Sequence, residues 1–150
     1  MLPTQEAWAR PGDITLRPVP GEFSVCQLPG DSPWPVPARA QSLFSVTRTA
    51  REISVVCYAD EAPAGARVEP GWRCLEVVGP LDFQMVGVLA GLTRCLARAG
   101  VSVFVMSTYD TDLVLVREHD LEPAMTALTQ SGYAFDPGSG TVPMRSGNSG

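Results

Sequence analysis

The residues best equipped for chemistry lie in one run, Ser107, Thr108, Tyr109, Asp110, Thr111 and Asp112, six consecutive hydrogen-bonding side chains between two apolar stretches. A chain reversal needs only Asn-Gly, Asp-Gly or Gly-X, so a turn this polar reads as a loop that faces a ligand. Asp110 and Asp112 set two carboxylates two residues apart. Carboxylates so close in one turn do not bracket a scissile bond as a hydrolase pair must; they favour a cationic group through charge-assisted hydrogen bonds. A second polar centre is Asp82, shortly after Gly79 and Pro80. Gly79 lets the backbone approach a ligand closely, and free N–H groups at a helix start suit a carboxylate. As an N-cap, Asp82 would occupy those donors; swung outward, it could accept a ligand ammonium.

Catalysis finds less support. His119, the sole histidine, sits among Glu118, Asp120 and Glu122 at a helix start and reads as a solvated capping residue. Cys26, Cys57, Cys74 and Cys95 form no C-x-x-C pair, and three of them fall in apolar strand-like runs. Buried reduced thiols are therefore expected, not disulfides or a zinc site. All eleven basic residues are Arg, which excludes Schiff-base and Walker-A lysine chemistry. Neither G-x-G-x-x-G nor G-x-S-x-G occurs. The expectation is a binding protein that is not an enzyme and uses no cofactor and no metal.

At 150 residues with 45% hydrophobic content the chain can bury a core. Its net charge of -5 and lack of a basic run make nucleic acid and anionic membrane poor partners. No segment approaches the roughly 20 apolar residues of a membrane span, and the start carries no signal-peptide pattern. A cytoplasmic location is the expectation.

The elements that must position these residues follow from periodicity and punctuation. Residues 1–12 read as a loosely docked arm with Trp8 as its anchor. Residues 14–19 and 22–28 read as two extended pieces broken at Pro20-Gly21. Four prolines (Pro29, Pro33, Pro35, Pro37) forbid a regular helix over most of 29–40, and Trp34 is expected to cover a core edge. A hairpin follows over 42–47 and 52–58, then a broken connection, then a half-buried strand over 72–78. Asp82 is placed to cap a helix over 83–99, ended by Gly100. A second hairpin over 101–106 and 113–116 carries the polar hexapeptide. A helix over 118–131, a short edge strand at 133–135 and a disordered tail from 136 complete the chain.

The two hairpins overlay without a gap, residues 43–57 on 103–117: Phe44 meets Phe104, Val46 meets Met106, Val55 meets Leu115 and Val56 meets Val116. Each is preceded by a strand. This predicts two repeats, 13–70 lacking full helices and 71–135 complete, in an α+β ferredoxin-like βαββαβ fold with an antiparallel sheet and helices on one face.

The segments PGEFSVCQL, SLFSVTRTAREISVVC, GWRCLEVVGPLDF and STYDTDLVLV resemble the small bacterial ACT-domain proteins, built as paired ACT-like repeats. They are similar also to the ACT regions of aspartokinases and to the tandem-ACT arginine sensor of animals. The resemblance implies regulation by a bound free amino acid, lodged at the interface between ACT units. Carried over, it assigns ligand contacts to Gly79, Pro80, Leu81, Asp82 and Phe83, continuing to Val86 and Gly87. The neighbouring strand is Phe44, Ser45, Val46 and Thr47, and the polar segment is Thr108, Tyr109, Asp110, Thr111 and Asp112. With Asp110 and Asp112 present, a basic amino acid is the expected ligand, and a homodimer or a partner enzyme the expected assembly. The competing expectation is an interaction module that pairs through edge strands without any small molecule.

Overall fold

The computed structural model describes residues 8–40 and 43–137. Seven strands form one sheet: β1 (Thr15–Pro29), β2 (Ser45–Arg48), β3 (Glu52–Tyr58), β4 (Arg67–Val77), β5 (Val103–Ser107), β6 (Asp112–Arg117) and β7 (Ala134–Phe135). Two helices, α1 (Val88–Arg98) and α2 (Leu121–Gln130), follow β4 and β6. The order is β2-β3-β1-β4-β6-β5, with β7 added beside β1 in parallel. The fold is ferredoxin-like.

β1 and β4 are long because each serves both halves. Residues 23–29 of β1 pair with β3, while Thr15 and Leu16 pair with β7, and β4 runs antiparallel to β1 along both parts. The expected break at Pro20-Gly21 is a register shift between Val19 and Phe23 inside one continuous strand, the way a sheet absorbs residues that cannot keep the ladder. In the first half the spatial order β4-β1-β3-β2 is the ferredoxin order. In the second, β1 occupies the place beside β4 that the last strand, β7, takes in an isolated unit.

Alternation along the strands loads both faces. On one, Leu16, Leu75, Val77, Val114 and Val116 pack against Val88, Leu92 and Leu96 of α1 and Ala124 and Leu128 of α2. On the other, Phe23, Val56, Trp72, Cys74, Leu113 and Leu115 form a second layer. The helix-less half buries Cys26, Leu28, Ile53, Val55 and Cys57 beneath Phe44, Val46, Ala62 and Ala66. The sheet curls, so its outer strands β2 and β5 line one cleft of about 270 Å³.

The ungapped hairpin overlay is one residue out. It sets Val55 on Leu115, yet Leu115 shares a layer with Val56. A one-residue slip moves every side chain to the opposite face. With Val55 on Val114 instead, the ladders coincide: Cys26↔Val55 and Val46↔Val55 match Leu75↔Val114 and Val105↔Val114. The turns then agree as well, because Thr49 N–H donates to the carbonyl of Glu52 (2.9 Å) and Thr108 N–H to that of Thr111 (2.7 Å).

Other expectations shift. Trp34 is 56% exposed and covers no core; the proline-rich connector is held by Arg39, which reaches Glu61 at 2.7 Å and Asp60 at 2.9 Å. Of the arm, residues 1–7 lie outside the described residues; Ala9 N–H donates to the carbonyl of Val86 (2.8 Å) and Trp8 packs on Gly87. Of the tail, residues 138–150 lie outside them, and Asp136 is tied by its N–H to the Leu16 carbonyl and by its carboxylate to Arg17. The strand expected at 72–78 begins at Arg67, so the division between repeats at 70/71 falls within β4. The second helix begins as a 3-10 turn, Glu118–Asp120, before α2.

Candidate functional site

The helix expected from residue 83 starts at Val88. Asp82 does not cap it: its Oδ1 accepts the N–H of Gln84 (2.9 Å) and its carbonyl that of Met85 (3.0 Å), closing a turn one step earlier. Gly87 is the N-cap, at φ +85° and without a side-chain hydrogen bond. A left-handed cap with the Trp8 ring against it leaves room only for glycine. The N–H groups of Val88, Leu89 and Ala90 thus begin α1 with no side-chain cap.

Residues 78–87 are fastened to the second hairpin turn. Leu81 N–H donates to the carbonyl of Asp110 (2.7 Å), and the buried Thr111 hydroxyl donates to the carbonyl of Val77. Gly79 is tucked beneath: a Cβ there would lie 2.8 Å from the Asp110 carbonyl oxygen. The turn is braced by Thr108, whose Oγ1 accepts the N–H of Thr111 (3.1 Å). The two segments the sequence singled out therefore meet, around a cleft of about 410 Å³ lined by Leu81, Asp82, Phe83 and Gly87 on one side and by 107–112 on the other.

The cleft is acidic. Asp82, Asp110 and Asp112 are in its lining, and no Arg or His is. Asp112 accepts the Ser107 hydroxyl at 2.6 Å, and Asp82 is engaged by Gln84. The Asp110 carboxylate has no hydrogen-bond or ion-pair partner among the described residues. At the mouth, Phe83 and Tyr109 stack edge to face, centroids 4.9 Å apart, and are 72% and 81% exposed.

Not every expected residue reaches this cleft. Ser45 and Thr47 line the separate 270 Å³ cleft with Phe104, Met106 and Ser107, while Phe44 and Val46 pack over the first-half core. Within one chain, then, residues 44–47 do not face the Leu81–Asp110 cleft; Ser107 alone lines both. Gly79, Pro80 and Val86 are not in its lining. Met85, Val88, Leu89 and Ala90 line it and were missed, since a helix begun at 83 turns them elsewhere. The signal was Gly87 directly before an apolar helical run. Among the described residues no group of three or more His, Cys, Asp or Glu could hold a metal ion. The cysteines are free: Cys26, Cys57 and Cys74 are buried and Cys95 half-buried. Burial pushes Cys57 and Cys74 each up to about 12, disfavouring the reactive thiolate.

An ACT-domain family model matches residues 67–130, and an N-terminal-domain model matches residues 21–65. No curated protein matches the sequence. Among solved structures, a structural-genomics protein from Agobacterium tumefaciens is 33% identical, covering 85% of this chain and 95% of that one, with a TM-score of 0.76. A Vibrio cholerae protein of unknown function, described as a possible transport protein, is 19% identical over 79% of this chain and 90% of its own, TM-score 0.60. The regulatory subunit of aspartate kinase from Thermus thermophilus, in ligand-free form, is 13% identical over 79% of this chain and 95% of its own, TM-score 0.55. The latter two show a shared fold.

Proposed function

This chain belongs to the ACT-domain proteins, and from that premise we propose that it is a regulatory module that binds a free amino acid with a cationic side chain in the Leu81–Asp110 cleft. The observation that carries the reading is the charge of that cleft: three carboxylates and no Arg or His in the lining. An acidic amino acid would be repelled there, while a basic one gains a charge-assisted hydrogen bond at Asp110. The ligand's α-carboxylate has the uncapped N–H groups of Val88, Leu89 and Ala90 to turn to. Residues 44–47 would contribute only from a second copy of the chain, which fits a homodimer.

The alternative, a module that docks on a partner enzyme without a small molecule, is favoured by the exposed Phe83–Tyr109 pair. A thermal-shift panel of the twenty amino acids separates the two. Ligand at about 100 times its Kd adds about 2.7 kcal/mol of stability, so arginine or lysine should raise Tm by several degrees and aspartate should not. A flat panel would leave the partner-only reading standing.

A further inference from the structure

A larger cleft, of about 700 Å³, lies on the helical side between α1, α2 and residues 8–11, and its chemistry is the reverse of the acidic one. Arg10, Arg94 and Arg98 line it, and no Asp or Glu does. Among the described residues none of the three forms an ion pair, in a chain whose net charge is -5. Three guanidinium groups around one concavity whose lining holds no carboxylate hold a focused positive potential.

The floor supplies a second, independent sign. Tyr133 lines the cleft, its residue only 5% exposed, and its hydroxyl forms no hydrogen bond among the described residues, open to solvent at the cleft. In the same lining the Trp8 Nε1 is a buried N–H with no hydrogen-bond partner among the described residues, and a buried donor left open costs about 1–3 kcal/mol. The Tyr133 hydroxyl sits over α1, 2.9 Å from where a Cβ on Gly91 would lie, so glycine is what keeps the space before it open. Trp8 walls the cleft with an apolar face.

We propose that this cleft is a second ligand site, for a small, multiply charged oxyanion: an organic phosphate or a polycarboxylate, held by Arg94, Arg98 and Arg10 and accepting a hydrogen bond from the Tyr133 hydroxyl. Guanidinium forks match both kinds of oxyanion. The site does not depend on what the acidic cleft binds.

Isothermal titration of the full chain at low salt, with inorganic pyrophosphate and with citrate as probes, tests it. Saturable one-to-one binding of either is expected, and whichever binds more tightly identifies the source. Arg94→Glu combined with Arg98→Glu should weaken binding at least tenfold. Tyr133→Phe, which removes one oxygen and keeps the ring, should weaken it severalfold at unchanged Tm. Arg48→Glu, on the β2–β3 hairpin, controls for bulk charge. No binding of either probe, or an equal loss with Arg48→Glu, would overturn the proposal.

Discussion

In the first half of the sheet Gly30 follows β1 and lies against the β2–β3 turn, a Cβ there falling 3.2 Å from the Ala50 carbonyl oxygen; in the second, Gly79 follows β4 and lies against the β5–β6 turn, 2.8 Å from that of Asp110. Both turns open with a threonine whose N–H reaches the carbonyl three residues on. Two hairpins of one geometry therefore each rest on a glycine that follows the preceding long strand, Gly30 against a carbonyl one position earlier in its turn than Gly79. What differs is the chain that leaves the glycine. After Gly30 it runs into a proline-rich connector; after Gly79 it loops over the turn and starts α1. Only the second half gains a roof above its turn, and the turn's charge follows suit, with Arg51 in the first and Asp110 in the second. The frame is common to both halves, and the acidic cleft is what the helix adds.

The largest expected effect concerns that helix. Leu96 is fully buried between α1 and the sheet, so Leu96→Ala should cost about 2–5 kcal/mol in urea denaturation. A cost under about 1 kcal/mol would mean that α1 is not what seals the second half. The glycines come next. Gly79→Ala drives a methyl into a backbone oxygen that Leu81 and the turn hold in place, and overpacking of this kind costs about 1–3 kcal/mol. Gly30→Ala, with more room, should cost less; the reverse order would break the equivalence of the two turns.

Much of this frame was legible in the sequence, because period-2 alternation and β-branched runs state which segments are strands. The polar hexapeptide and the Gly79 loop were also legible, as clusters with more hydrogen-bonding capacity than a turn needs. Three things were not. Hairpin register against its twin turns on which face is buried, and with both faces apolar around Val55, Val56, Val114 and Leu115 an ungapped match cannot tell one residue from the next. The start of α1 was misplaced because Asp82 is a good cap on paper, whereas the structure uses it for a turn and leaves Gly87 to begin the helix. The curl of the sheet, which carries Ser45 and Thr47 to β5 and away from the Gly79 loop, arises from accumulated strand twist that no local pattern encodes.

A smaller effect probes both halves at once. Cys57 lies in the helix-less half and Cys74 in β4, and each thiol is pushed from its ordinary 9.0 up to about 12, first by burial. A group whose folded value is raised stabilises fully below the unfolded value and loses that contribution as pH climbs through the window to the folded one. Stability should therefore hold below pH 9 and fall between 9 and about 12, by about 1.4 kcal/mol per thiol one unit above 9. Cys57→Ala and Cys74→Ala should each flatten the decline; a slope unchanged in both would place the buried layers of the two halves in contact with water.

The smallest effect on stability is the sharpest for function. The Asp110 side chain is exposed and its carboxylate has no partner among the described residues, so Asp110→Asn should change the unfolding free energy by less than about 0.5 kcal/mol. The same change removes the one free carboxylate of the acidic cleft. If that cleft holds a cationic side chain, affinity should drop at least about tenfold, the loss of one charge-assisted hydrogen bond of about 1.5–3 kcal/mol. Arg51→Gln at the first-half turn should leave both quantities unchanged. Equal loss of ligand affinity in the two variants would mean that the charge difference between the turns tracks the overall field of the protein, and that the roof over the second turn does not define the site.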